Sequence, residues 1–456
     1  MKKPCCFKAM AVLIIILICF CSSAYAANTK PKNVILLIGD GMGPNQVAMA
    51  RQSKGSALNM ESMQYKGTFS TANVDGGVTD SAAAGTALAC GIKTKNGMVG
   101  MNAAKNTLPN IREYFADLGK KTGLVSTATI TDATPAAFGA HVENRSSQNI
   151  IAIQFIKNNI DLIMGGGAKY FSSDLLELAT EKGYTHITTK QQLLSTNSSK
   201  ILGLFCEGGF PLYHNNGYTA DMPTLEQMTS KSIEILNRST KGFFLMVEGA
   251  AIDSTGHSNL IDENITETLE FDKAVKIALD FAARDGNTLV IVTADHETGG
   301  LKFNAEEKSF YFTSAGHTSA NVPIFASGTG ASKFTGDMKN TDLSFKIMEL
   351  YNSDSVSSAP TASKSQSSSS ISSSKTQSKS VASKSSILSS ESQQSEYSST
   401  TKSEAEHSDT SIGEGSLPTS KPDGGNRAAM IILITAGAVI VLGAGSFAVY
   451  KLVIKR

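Results

Sequence analysis

The sequence predicts an α/β catalytic domain on a mostly parallel central sheet flanked by helices, followed by a disordered Ser-rich stalk and one transmembrane helix. Three observations carry this. Between residues 31 and 352, short apolar runs alternate with helical stretches, the pattern of a buried sheet covered by helices. From 353 to 427 the composition shifts to Ser with scattered Lys, Gln, Thr and Glu. From 428 to 450 the chain is an uninterrupted apolar and small-residue run of roughly membrane-spanning length.

In chain order, Met1-Lys2-Lys3, an apolar stretch from Ala9 to Cys21 and Ala24-Tyr25-Ala26 give the charged, apolar and A-x-A order of a cleavable secretion signal, residues 1–26. Four of the six cysteines fall inside it, so Cys90 and Cys206 alone remain, and no disulfide framework is implied. A single bridge between those two stays open. The net charge of +1, with no basic patch interleaved with aromatics, argues against a nucleic-acid partner.

Five runs read as strands buried on both faces: Val34 to Ile38, Thr122 to Ser126, Asp161 to Met164, Phe243 to Val247 and Thr288 to Val292. Helices are predicted between them, over Leu108 to Leu118 and Glu263 to Ala283. The stretch 353–427 cannot bury enough apolar surface to offset its ordering entropy, which predicts a stalk. Lys451, Lys455 and Arg456 end the chain as a basic tail, 451–456, on the cytoplasmic side of the span. The expected location is therefore the cell surface, with the membrane as a partner. Leu417-Pro418-Thr419 suggests a wall-sorting signal instead, but Ser420 and Lys421 do not complete the pattern.

Ligands of such folds bind beyond the carboxyl ends of the strands. Asp40, Asp132, Glu248 and the pair Asp295-His296 follow four of the runs. One acid there is ordinarily a helix cap or turn residue, whereas four strand ends sharing the habit point to metal. Asp253 and His257 stand at i and i+4, a spacing that puts carboxylate and imidazole on one helical face and suits zinc. His317, in an exposed loop, could close such a site. Ser81 follows Asp80 at the start of an Ala-rich helix, where it could be a cap or could meet a phosphate oxygen at the helix N-terminus. No His is near in sequence, so its activation would fall to a metal.

Ile38 to Gly43, Val78 to Ala87, Asp132 to Ala137, Glu248 to Asp253 and Thr293 to Glu297, in this order, resemble the motifs of the alkaline phosphatases. Gly165 to Phe171 adds a sixth such stretch. The resemblance spans nearly all of Asn33 to Tyr351. It implies hydrolysis of phosphate monoesters through a phosphoserine at Ser81, with two zinc ions and one magnesium. One zinc would be held by Asp253, His257 and His317, and the second by Asp40, Asp295 and His296, with Ser81 as its reacting ligand. Magnesium would sit among Asp40, Asp132, Thr134 and Glu248. Arg145, thirteen residues after Asp132, would grip two phosphate oxygens, with Asp80 either orienting it or serving as a helix cap.

Ser254 stands where relatives often carry a Lys, His or Trp. Only about twenty residues separate His296 from His317, which leaves a homodimer open but the usual interface insertion reduced. The rival readings are a phosphodiesterase or sulfatase of the same metallohydrolase group, or a surface adhesin. Diesterases generally lack the third-metal set, sulfatases need a Cys/Ser-x-Pro-x-Arg context absent at Ser81, and an adhesin would have a degraded site.

Overall fold

Val34 to Ile38 and Phe243 to Val247 are fully buried, so neither strand has a solvent face. Side chains apolar on both faces need helices above and below, and that requirement organises the domain. The computed structural model describes residues 30–213 and 218–352. Fourteen strands occur among them: β1 (Asn33–Gly39), β2 (Tyr65–Ser70), β3 (Lys121–Thr129), β4 (Leu162–Gly166), β5 (Thr185–Ile187), β6 (Ile201–Leu204), β7 (Phe243–Gly249), β8 (Thr288–Thr293), β9 (Glu297–Thr298), β10 (Lys302–Asn304), β11 (Ser309–Tyr311), β12 (His317–Thr318), β13 (Val322–Gly328) and β14 (Gly336–Lys339).

Ten of them form one sheet in the order β14-β2-β13-β8-β1-β7-β3-β4-β6-β5. Strand β1 is central, parallel to both β7 and β8. The sheet is mostly parallel, as expected, and mixed only in that β13 runs antiparallel to β2 and to β8. Only the short strands β9 to β12 lie between β8 and β13. Without a crossover helix the chain cannot come back to the starting edge, so it returns antiparallel.

The expected helix 108–118 is shorter, Ile111–Asp117, because Asn110 caps it with a capping box completed by Glu113. The expected helix 263–283 is longer, Ile261–Asp285, and stops at Gly286, whose φ of 69° suits glycine. Phe115 stacks on Phe244 at 5.2 Å and meets Tyr351 edge-on at 5.1 Å, joining this side of the sheet to the last helix, Asp342–Asn352. Cys90 and Cys206 are both free thiols, so no bridge joins them.

The signal expected at 1–26, the stalk at 353–427, the span at 428–450 and the tail at 451–456 lie outside the described residues. Among the described residues no helix is long and apolar enough to cross a membrane. The expected membrane-anchored, secreted, cell-surface arrangement is corrected on that finding. The membrane and homodimer partners are withdrawn with it.

Candidate metal centre

Parallel pairing brings the strand ends to one place. Ile38 of β1 is level with Glu248 of β7 and with Thr293 of β8, so the residues just beyond, Asp40 and Asp295, emerge beside Glu248. The turn after β1 is tied down on both sides, with Asp40 N–H donating to Gly249 O at 3.1 Å and Gly41 N–H to Asp295 Oδ1 at 3.2 Å. Gly41 has φ +73°, and a Cβ there would lie 2.8 Å from Asp253 Cα. Glycine is what lets the β1 turn and the Asp253 helix approach this closely.

Asp40, Asp295 and His296 form one cluster whose ligand atoms lie within 4.8 Å of one another. Asp295 Oδ2 is 3.1 Å and Asp40 Oδ1 3.6 Å from His296 Nε2. Neither oxygen has a hydrogen-bond partner, although both are buried. Ser81 joins this cluster, its Oγ 3.2 Å from His296 Nε2. The histidine missing from the neighbourhood of Ser81 in sequence is therefore supplied in space.

Asp253, His257 and His317 form the second cluster. Asp253 and His257 sit on the helix Ala251–His257, with Asp253 Oδ2 3.4 Å from His257 Nε2. His317, expected in an exposed loop, lies in β12, which pairs with β9, and its Nε2 is 3.0 Å from His257 Nε2. The rings of His317 and His296 stack at 3.6 Å, so the two clusters adjoin.

The tautomers follow from the outer partners. His257 Nδ1 faces Ala315 O at 2.6 Å and His317 Nδ1 faces Thr79 O at 2.9 Å, and a carbonyl can only accept. Thr298 donates its hydroxyl to Asp253 Oδ1 at 2.5 Å, which leaves its oxygen to accept from His296 Nδ1 at 3.2 Å. All three imidazoles thus donate from Nδ1 to an outer partner and turn Nε2 inward. This is the outer-shell arrangement of metal-ligating histidines. Thr298 was missed in the sequence, where its signal was the i, i+2 spacing from His296.

A third group surrounds Glu248, which is 1% exposed and accepts from Ser126 Oγ at 2.5 Å. Asp132 caps the helix Ala133–Ala137, and the buried Thr134 hydroxyl, beside Glu248, is without a well-formed hydrogen bond. Arg145 Nη2 donates to Asp132 Oδ1 at 2.9 Å and its Nη1 to Asp80 Oδ2 at 3.3 Å. Asp80, rather than Ser81, is the N-cap of the helix Ser81–Cys90, accepting from Ala83 N–H at 2.9 Å. Ser81 is its first helical residue, with the hydroxyl at the positive end of the helix.

Asp40, Ser81, Asp132, Arg145, Glu248 and Asp253 all line one cavity of about 200 Å³. Thr127, Phe210 and Ser254, none of them expected as a site residue although Ser254 was singled out in the sequence, also line its wall. Burial, then the charges of Asp295, Asp253 and Glu248, push the Asp40 carboxyl well above its usual range. Burial and the neighbouring Asp132 and Asp295 push Glu248 up to about 8. Burial lowers His296, whereas the Asp253 hydrogen bond lifts His257 to about 9. Two buried acids raised by burial and by their acidic neighbours, orphaned carboxylate oxygens and inward-facing imidazole Nε2 atoms form a donor set that fits cations.

The sequence family described as alkaline phosphatase matches residues 31–312. Alkaline phosphatase 4 of Bacillus subtilis is 39% identical over 299 residues, covering 61% of this chain and 64% of its own length. The chain thus spans slightly under two thirds of that relative. Alkaline phosphatase H of Pseudomonas aeruginosa is 34% identical over 407 residues, covering 71% of this chain and 86% of that one. Alkaline phosphatase from the Antarctic bacterium TAB5 shares the architecture with a TM-score of 0.67 at 35% identity, covering 71% of this chain and 99% of that one. A histidine-to-aspartate mutant of that enzyme has magnesium bound in its M3 site.

Proposed function

Because the chain belongs to the alkaline phosphatase family, we propose that it hydrolyses phosphate monoesters to an alcohol and inorganic phosphate, with residues 31–352 as the catalytic domain. The observation that carries this reading is the approach of Ser81 Oγ to His296 Nε2, at 3.2 Å, beside the orphaned oxygens of Asp40 and Asp295. A nucleophile at a metal-competent cluster is what phosphoserine chemistry requires.

The finer assignment gives zinc to Asp253, His257 and His317, and a second zinc to Asp40, Asp295 and His296 with Ser81. Nitrogen and oxygen donors in sets of three suit that ion. Magnesium is assigned to Asp40, Asp132, Thr134 and Glu248, an all-oxygen set. When bound, such cations supply Lewis-acid chemistry, acidifying a serine hydroxyl and a water and stabilising charge on a departing alkoxide.

The chain's own groups do the rest. Arg145 presents its guanidinium fork to two phosphate oxygens, held in place by Asp80 and Asp132. Ser81 Oγ attacks phosphorus in line, losing its proton to solvent, as the bond from phosphorus to the leaving oxygen breaks. The leaving alkoxide takes up a proton from water. A water then attacks from the vacated side, the bond from phosphorus to Ser81 Oγ breaks, and the hydroxyl regains its proton. Two inversions give retention at phosphorus.

Comparing p-nitrophenyl phosphate with its bis-ester, before and after chelation and after restoring zinc and magnesium, tests the reading. Metal-dependent preference for the monoester is expected. A preference for the bis-ester would make the chain a phosphodiesterase.

A further inference from the structure

Asn96 and Gly97 lie in the loop beyond the helix Ser81–Cys90 and are not part of the cavity wall. Asn96 is exposed, yet both its amide oxygen and its amide nitrogen are engaged. Its Oδ1 accepts the Asp80 N–H at 3.2 Å and the Asn73 amide at 3.1 Å, and its Nδ2 donates to Val78 O at 3.0 Å. Gly97 continues the pattern on the main chain. Its N–H donates to Asp80 Oδ2 at 2.9 Å, and its carbonyl accepts the Arg145 N–H at 2.8 Å.

Two residues beyond Gly97, Val99 pairs with Val142 through both of its main-chain groups, at 2.9 and 3.0 Å. The stretch 97–99 therefore serves as a template for 142–145. Asp80 Oδ2 is shared between Gly97 N–H and Arg145 Nη1. One dipeptide thus holds the main chain and carboxylate of the residue preceding Ser81, and also the main chain of Arg145. Gly97 adopts φ +83°, a conformation that glycine takes without strain.

We propose that Asn96 and Gly97 are positioning residues for phosphate recognition, fixing the separation of the Ser81 hydroxyl and the Arg145 guanidinium without touching substrate. This rests on the roles given above to Ser81 and Arg145. A long, rotamer-rich arginine grips an anion well only where its main chain and its carboxylate partners are fixed beforehand. The Asn96 and Gly97 contacts supply both constraints from outside the cavity. Loss of the Asn96 amide frees the Asp80 main chain, lets the shared carboxylate drift, and spreads the guanidinium over several placements.

The test is competitive inhibition by inorganic phosphate, at saturating zinc and magnesium, for the unaltered chain, Asn96→Ala, Arg145→Ala and the double variant. Asn96→Ala is expected to raise the phosphate inhibition constant about three- to thirtyfold, with KM raised more than kcat is lowered. In the Arg145→Ala background the same substitution should change it by less than about twofold. An unchanged constant for Asn96→Ala, or an equal rise in both backgrounds, overturns the proposal. An unchanged constant for Arg145→Ala alone overturns instead the role given to that arginine. Gly97→Ala provides a second route, since a Cβ there meets no atom within 4 Å and only the backbone is strained. It should reproduce the dependence on Arg145.

Discussion

Ser81 Oγ and His296 Nε2 are 3.2 Å apart, but His296 also faces two carboxylate oxygens, so this is no serine–histidine dyad. The distinction predicts how the variants behave. Ser81→Ala should abolish phosphoenzyme labelling and lower turnover by roughly three orders of magnitude or more, while metal content, read by elemental analysis, stays near that of the unaltered chain. Labelled phosphoenzyme in that variant would remove Ser81 as nucleophile. Under the role proposed for Arg145, Arg145→Ala would remove two charge-assisted hydrogen bonds to phosphate, each worth about 1.5–3 kcal/mol. Its inhibition constant for phosphate should rise by about a hundredfold or more. Ser254, at the cavity wall, donates to Ala251 O at 3.2 Å, a contact within its own helix.

At the scale of elements, the site depends on how closely the turn after β1 meets the helix Ala251–His257. Gly41→Ala would place a methyl group 2.8 Å from Asp253 Cα at a φ of +73°. The expected result is a loss of about 1–3 kcal/mol in stability and weaker metal binding, measured by denaturant unfolding and by metal titration. A stability and affinity equal to the unaltered chain would show that the turn can shift at no cost. The helix Ser81–Cys90 is entirely buried, and its Gly85 faces Ala137 and Thr134 of the helix Ala133–Ala137. That packing keeps Ser81 in register with Asp132. Five strands were legible because each is a continuous apolar run. Strands β2 and β14 were not, since most of their residues are at least partly exposed and carry no apolar periodicity. The antiparallel return of β13 was also hidden, because strand direction depends on what connects the strands and not on their composition.

For the whole molecule, the buried acids make stability a function of pH and metal. Glu248 is raised from about 4.5 to about 8 in the folded chain, and Asp40 is raised as well. Between those values the folded state holds a proton that the unfolded state has released. Metal-free stability should therefore fall as pH rises through that window. Cations that replace those protons bind more tightly over the same range and stabilise the fold, by about 2.7 kcal/mol at a hundred times the dissociation constant. The gap in melting temperature between metal-loaded and chelated protein should widen from about pH 6 to about pH 8. A gap that is constant or narrows would show that these acids are not the coupled groups.

The candidate metal-ligating groups were readable from the sequence by itself, because such groups are fixed by residue type and several follow strands that buried apolar runs announce. Asp40, Asp295 and Glu248 needed only the rule that strand ends converge. The resemblance of five ordered motifs supplied Arg145 and Thr134, which spacing alone would have left as a surface cation and a helix residue. What the tertiary structure decided were relations between segments far apart in the chain: His296 beside Ser81, Thr298 shared by Asp253 and His296, His317 brought in by β12, and Gly97 joined to Arg145. Hydrogen bonds act over about 3 Å, so they depend on packed geometry that no local pattern encodes.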